Sequence, residues 1–268
     1  MGIRNRWQGW ALAGSATLLL LALAWYGWAQ TVASRSCALG PPPDAPEFAQ
    51  AQAREAAEVR ANGFLRVCDA NLERFDLSWR STAGAVRNLA SAPVELSGTP
   101  FAQFHSVGAR AEAVSDINSR LYRGFRMPEG HTVTLFEHDM SADGSRATRA
   151  ASDEPERING RPARLVVLQA DSGRAVSQLS WFEGRRYYEL WIDANVAHHP
   201  LRASLFALAG ALPAATPACP NEAAQPPMHI GPDGLPVEPA MPEVLTQEQM
   251  KAFLDAKDGA RPCRTASL

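Results

Sequence analysis

Residues 10–29, WALAGSATLLLLALAWYGWA, contain neither a charge nor a proline. At ~1.5 Å rise per residue, a helix of this length crosses about 30 Å, the hydrocarbon thickness of a bilayer. Arg4 and Arg6 precede the run, and no acidic residue appears before Asp44. The positive-inside rule therefore keeps residues 1–9 in the cytoplasm and sends everything after Gln30 outward. Trp7 and Trp10 flank one end, and Trp25, Tyr26 and Trp28 the other, where aromatic rings suit the headgroup layers. An uncleaved single span is the expectation. A cleaved signal peptide is the rival, with Gly27-Trp28-Ala29 as its processing site. A lipoprotein signal fits less well, because Cys37 lies far beyond the apolar run. Each of the three places the body of a bacterial chain in the periplasm, held to or released from the inner membrane.

An oxidising compartment agrees with the cysteines. Cys37, Cys68, Cys219 and Cys263 form no CxxC pair, so neither a zinc ribbon nor a thioredoxin-like site is signalled. An even number in an exported chain favours two disulfides. Closure entropy favours joining nearer neighbours, Cys37 to Cys68 and Cys219 to Cys263, among the three possible connectivities.

The 268 residues are 46% hydrophobic and 20% charged, with a formal net charge of −2, which excludes a disordered chain and argues against a nucleic-acid partner. The cations are arginines apart from Lys251 and Lys257, and they form no stripe.

After the span comes a proline-rich spacer over 30–46, including GPPPDAP, then an exported body over 47–212. Glu47 to Ala61 reads as a helix ended by Gly63. Short strands are expected at Phe64 to Cys68 and at Phe75 to Trp79. Ala113, Val114, Ile117 and Leu121 have helical spacing, which predicts a helix over Glu112 to Tyr122. His131 to Glu137 alternates as a strand. Between 163 and 193, Arg164 to Ala170, Ala175 to Phe182 and Arg185 to Asp193 are β-rich runs. Asp171-Ser172-Gly173 and Glu183-Gly184 separate them, so an antiparallel meander is predicted. On its last strand Tyr188, Leu190 and Ile192 share a face that should meet helices, while Tyr187, Glu189 and Trp191 share a mixed face. Pro200 to Leu212 reads as a helix covering the sheet. The remainder, 213–268, is a proline-rich tail with a capped helix over 246–258. The fold class is thus α+β: an antiparallel sheet with helices on one face.

Catalytic signatures are absent from the sequence: no GxSxG elbow, SxxK, HExxH, phosphate loop or EF-hand loop occurs. His131 and His138 should point to opposite faces, and His138 and Asp139 should diverge on extended chain. His105-Ser106 with Asp139 gives no convincing triad. His198-His199 reads as an exposed or capping pair rather than metal ligands. No metal, cofactor or catalytic residue is assigned. Arg185 and Arg186 are expected at a solvated hairpin tip. With Trp181, Tyr187 and Trp191 they form the candidate contact surface for a protein partner.

Residues 158–192, carrying Asn159-Gly160, Ala163, Trp181, Gly184, Tyr187 and Leu190, resemble extracytoplasmic modules of the lipoprotein-carrier-like and anti-sigma-associated kind, which implies a curved antiparallel sheet. The overall layout has an anchor, a proline spacer, a helix, then Cys68 followed by Arg74-Phe75-Asp76-Leu77. It resembles membrane-anchored immunity proteins that neutralise type VI secretion phospholipase effectors. Those proteins place Gly-Arg directly after the Cys and end the strand in proline; here Asp69 to Glu73 intervene and Ser78-Trp79 follows. The resemblance implies a protein partner, a toxin reaching the periplasm. Other readings are an envelope-complex subunit, an apolar-ligand carrier and a hydrolase whose site only the fold assembles.

Overall fold

The computed structural model describes residues 45–145 and 154–219, together with short strands at 229–230 and 236–237. The segment 10–29, the partner cysteines Cys37 and Cys263, and the helix expected over 246–258 lie outside the described residues. Among the described residues no helix is long and apolar enough to cross a membrane.

Strong alternation of apolar and polar residues builds a mixed, mostly antiparallel sheet. Its strands are β1 (Leu65–Val67), β2 (His105–Val114), β3 (Ile117–Arg126), β4 (Thr132–Asp139), β5 (Glu156–Ile158), β6 (Arg161–Ala170), β7 (Ala175–Glu183) and β8 (Arg186–Ile192). Their order is β1-β6-β7-β8-β4-β3-β2, with β5 also on β6. The predicted meander is present as β6-β7-β8, antiparallel throughout. β4 then joins β8 to the β2-β3 hairpin, again antiparallel. Along the outer edge of β6, β1 pairs in parallel with Leu168 to Ala170 and β5 antiparallel with Arg161 to Ala163. At the opposite edge an isolated bridge joins Arg80 to Ala109 of β2, and Ala85 packs against Ala109 beside it.

The helices are α1 (Phe48–Asn62), α2 (Asp69–Leu72), α3 (Thr82–Val86), α4 (Met140–Asp143) and α5 (Leu201–Gly210). α1 ends where Gly63 turns left-handed, φ 77°, and its N–H bonds the carbonyl of Val59. A Cβ at Gly63 would also meet the His198 ring, so that glycine serves both the turn and the contact.

Two faces follow from the strand period. On the inner face Val133, Leu135, Leu179, Trp181, Tyr188, Leu190 and Ile192 form the core, covered by Leu201, Leu205 and Leu208 of α5 and by Val94, Leu96 and Phe101. On the other face Leu72 of α2 packs on Leu168, Ala170 and Val176, beside Phe75 and Trp191. Helices thus touch both faces, where one was expected.

Two local expectations fail for identifiable reasons. Glu112 to Tyr122 is a hairpin, not a helix: Ser115 and Asp116 adopt φ of 48° and 68° and turn β2 directly into β3. Both φ values are left-handed, which a right-handed helix cannot accommodate. Phe75 to Trp79 is not a strand; a 3-10 turn over Glu73–Phe75 leads into a segment that crosses the outer face.

Candidate functional site

The outer face carries a continuous aromatic ladder. Register places Phe136 of β4 beside Tyr122 of β3 and Glu189 of β8, with Trp191 one step along. Ring centroids lie 4.6 Å apart for Tyr122 and Phe136, 5.6 Å for Tyr122 and Trp191, and 4.8 Å for Phe75 and Trp191 in an edge-to-face contact. Glu189 orients two of the polar tips: Tyr187 donates its hydroxyl to Oε1, and Trp191 donates Nε1 to Oε2 at 2.7 Å. Burial, then the neighbouring Glu112, pushes the Tyr122 phenol well above its usual range, so it stays neutral. Tyr122, Tyr187 and Trp191 are half-buried, so the ladder keeps part of its surface accessible.

At Trp191 the ladder opens into a cleft of about 700 Å³, inside the size range of ligand pockets. Its floor is the sheet around Thr134, Val176 and Trp191; segment 75–79 forms a wall. Close packing seats that wall, because a Cβ on Gly124 would lie 2.7 Å from the Trp79 ring and 2.5 Å from Val107. At the rim, His131 Nδ1 lies 3.0 Å from Asp193 Oδ1, which also accepts the Thr132 N–H. At the other end Arg174 pairs with Asp76 and also donates to the Leu72 carbonyl.

Of the expected contact residues, Tyr187 and Trp191 lie on this face. Trp181 does not: it is 2% exposed and stacks on Tyr188 within the core. Arg185 and Arg186 do not form a solvated tip either; they are 6% and 2% exposed. Arg186 donates to the carbonyls of Ala92 and Thr216 and lies 3.4 Å from Asp139 and 3.6 Å from Glu137. Arg185 donates to the carbonyls of Met140 and Ser145. Arg123 completes the group through Glu137 and the Val94 carbonyl. Burial raises the Glu137 carboxyl, against the opposing pull of Arg123, the Val94 N–H and Arg186. Such a network stabilises only while all its members are paired. Here it fastens the 92–94 loop and the 216–219 segment to the sheet. Asp139 holds the latter, accepting Ala218 N–H at 2.7 Å, and Ser141 Oγ accepts Cys219 N–H at 3.0 Å. Cys68 and Cys219 are disulfide-bonded rather than free thiols.

The histidines have local partners. His199 Nδ1 accepts the Leu201 N–H at the start of α5, and His198 approaches the Asn62 carbonyl. His138 and Asp139 diverge, as extended chain requires. His138 Nε2 donates to Asp143 Oδ2 at 2.6 Å, and Ser119 donates its hydroxyl to the same oxygen. A nucleophilic relay needs the histidine between serine and carboxylate; here the carboxylate is between them. Burial alone would raise Asp143, yet hydrogen bonds from His138, Ser119 and Ser145 hold it well below the usual aspartate range. So low a carboxyl is a poor base, and the cluster acts as a tie between β3, β4 and α4. Among the described residues no group of three or more His, Cys, Asp or Glu side chains could hold a metal ion.

Sequence reasoning missed Phe75, Trp79 and Thr134, because no local pattern shows that a crossing segment meets β4 and β8. Comparison with known proteins adds no relative: no family model, no curated protein and no solved structure matches the chain.

Proposed function

We propose that this chain is a protein-binding module of the bacterial envelope, anchored in the inner membrane through residues 10–29, with its body in the periplasm. Its partner on this reading is a toxin that enters the periplasm, and the chain is the matching immunity protein. The observation that carries the binding reading is the half-buried aromatic ladder running into a cleft of about 700 Å³. Rings held in place by Glu189 offer contact area at low cost in side-chain entropy, as binding anchors do. The charge-free run supports the anchor, and the disulfide-bonded state of Cys68 and Cys219 suits an oxidising compartment. The carrier reading draws less support, since side chains fill the inner face and the cleft lining is mixed rather than apolar.

The test is affinity capture from the envelope with the tagged full chain. The expected result is one protein at stoichiometric yield, toxic in the periplasm of cells lacking this chain and harmless in cells that have it. Retention should be lost in Trp191→Ala and Trp79→Ala variants that melt cooperatively. Lipid extracted in place of protein would overturn the reading. So would an ester hydrolysis that His138→Ala abolishes without unfolding the domain.

A further inference from the structure

We infer that the cleft beside segment 75–79 receives an arginine side chain of the partner protein, with its guanidinium at Asp193 and Thr134. This rests on the protein-binding reading and names what the cleft takes from that partner.

Charge selects a cation. The lining holds the carboxylates of Asp76 and Asp193 against Arg174 and His131. Arg174 is committed to Asp76 and the Leu72 carbonyl. His131 and the Thr132 N–H both address Asp193 Oδ1, so Oδ2 has no partner among the described residues, and the side chain is 46% exposed. An anionic ligand would meet this oxygen unfavourably.

The floor supplies a second acceptor. Thr134 is only 6% exposed, lines the cleft opposite Trp191 in the β4–β8 register, and its hydroxyl has no hydrogen-bond partner among the described residues. Its oxygen is open to the solvent in the cleft, so a guanidinium N–H entering there meets a free acceptor.

The walls favour arginine over lysine. Trp191 has given its indole N–H to Glu189, so what it offers the cleft is ring surface; Phe75 and Trp79 add two more rings. Arginine stacks its planar cation on such rings, covers them with its aliphatic stem, and still presents a fork of donors. The cleft is larger than one side chain, so residues flanking the arginine on a partner loop enter with it.

The experiment follows the indole N–H resonances of the detergent-solubilised full chain by NMR, assigned through Trp79→Phe and Trp191→Phe. The probe is the tripeptide acetyl-Gly-Arg-Gly-amide, with its neutral citrulline analogue as control. The expected result is a saturable shift of the Trp79 and Trp191 signals, with citrulline about fivefold weaker or worse. Asp193→Asn keeps the acceptor for Thr132 while removing the charge, and should weaken the arginine probe comparably. Thr134→Val, which preserves shape, should weaken it too and stands as an independent arm if Asp193→Asn unfolds. No saturable shift, or citrulline and both variants within about twofold of the arginine value in the native chain, overturns the inference. If that happens while the full chain still retains a toxic partner, the protein-binding reading survives and only the arginine site fails. If no protein is retained, that reading fails by its own test.

Discussion

Asp139 Oδ2, buried at the end of β4, accepts the backbone N–H of Ala218 at 2.7 Å from a residue 79 positions further along the chain. The same carboxylate faces Arg186, whose guanidinium also holds the Ala92 and Thr216 carbonyls. Removing it leaves the buried Arg186 to share Glu137 with Arg123, two cations on one carboxylate. Asp139→Ala is therefore expected to cost about 3–5 kcal/mol in urea unfolding. Amide exchange should rise at 216–219 before it rises in β8. A loss under about 1 kcal/mol with unchanged exchange would mean that the network does not hold the segment.

Asp143 makes the fold acid-sensitive. Its folded carboxyl titrates below its unfolded value, so the unfolded chain binds more protons as the pH falls beneath the ordinary aspartate value of 3.8. The stability it contributes is present above that value and is lost as the pH drops further. Thermal melts between about pH 5 and pH 2 should fall more steeply for the native chain than for Asp143→Asn. Parallel curves would show that His138 and Ser119 do not hold the carboxylate in its charged form.

The two aromatic populations of the meander should separate in stability. Trp181→Ala empties a site in the inner core and is expected to cost about 3–5 kcal/mol. Tyr187→Ala, on the half-buried outer face, should cost about 1 kcal/mol. Denaturant midpoints at constant slope would check this, and equal losses would contradict the assignment of the two faces.

The β2-β3 turn sits in a conformation its side chains disfavour. Asp116, at φ 68°, is expected to gain a few tenths of a kcal/mol up to about 1 kcal/mol when replaced by glycine. A destabilised Asp116→Gly variant would show that its side chain stabilises the turn by more than the left-handed strain costs.

The meander was legible because alternation and two turns agreed over thirty residues, and agreement between levels is what a foldable segment requires. The hairpin was not, because Ala113, Val114, Ile117 and Leu121 satisfy a helical spacing while also serving two strands. Only the left-handed turn at Ser115 and Asp116 decides, and Ser-Asp is a weak turn signal beside Asn-Gly. Arg185 and Arg186 illustrate a second limit. Beside Glu183-Gly184 they read as a solvated tip, yet their partners lie at Ala92, Glu137, Met140, Ser145 and Thr216. Burial of a charge depends on counter-charges that only tertiary packing supplies. The cleft escaped for a related reason: its wall and its floor come from stretches more than fifty residues apart.

β6 shares its outer edge between β1, running parallel, and β5, running antiparallel. Two neighbours of opposite polarity leave no uniform row of donors and acceptors for a foreign strand to copy. The sheet therefore resists growth by templated addition on that side, a safeguard against polymerisation wherever copies of the chain are concentrated.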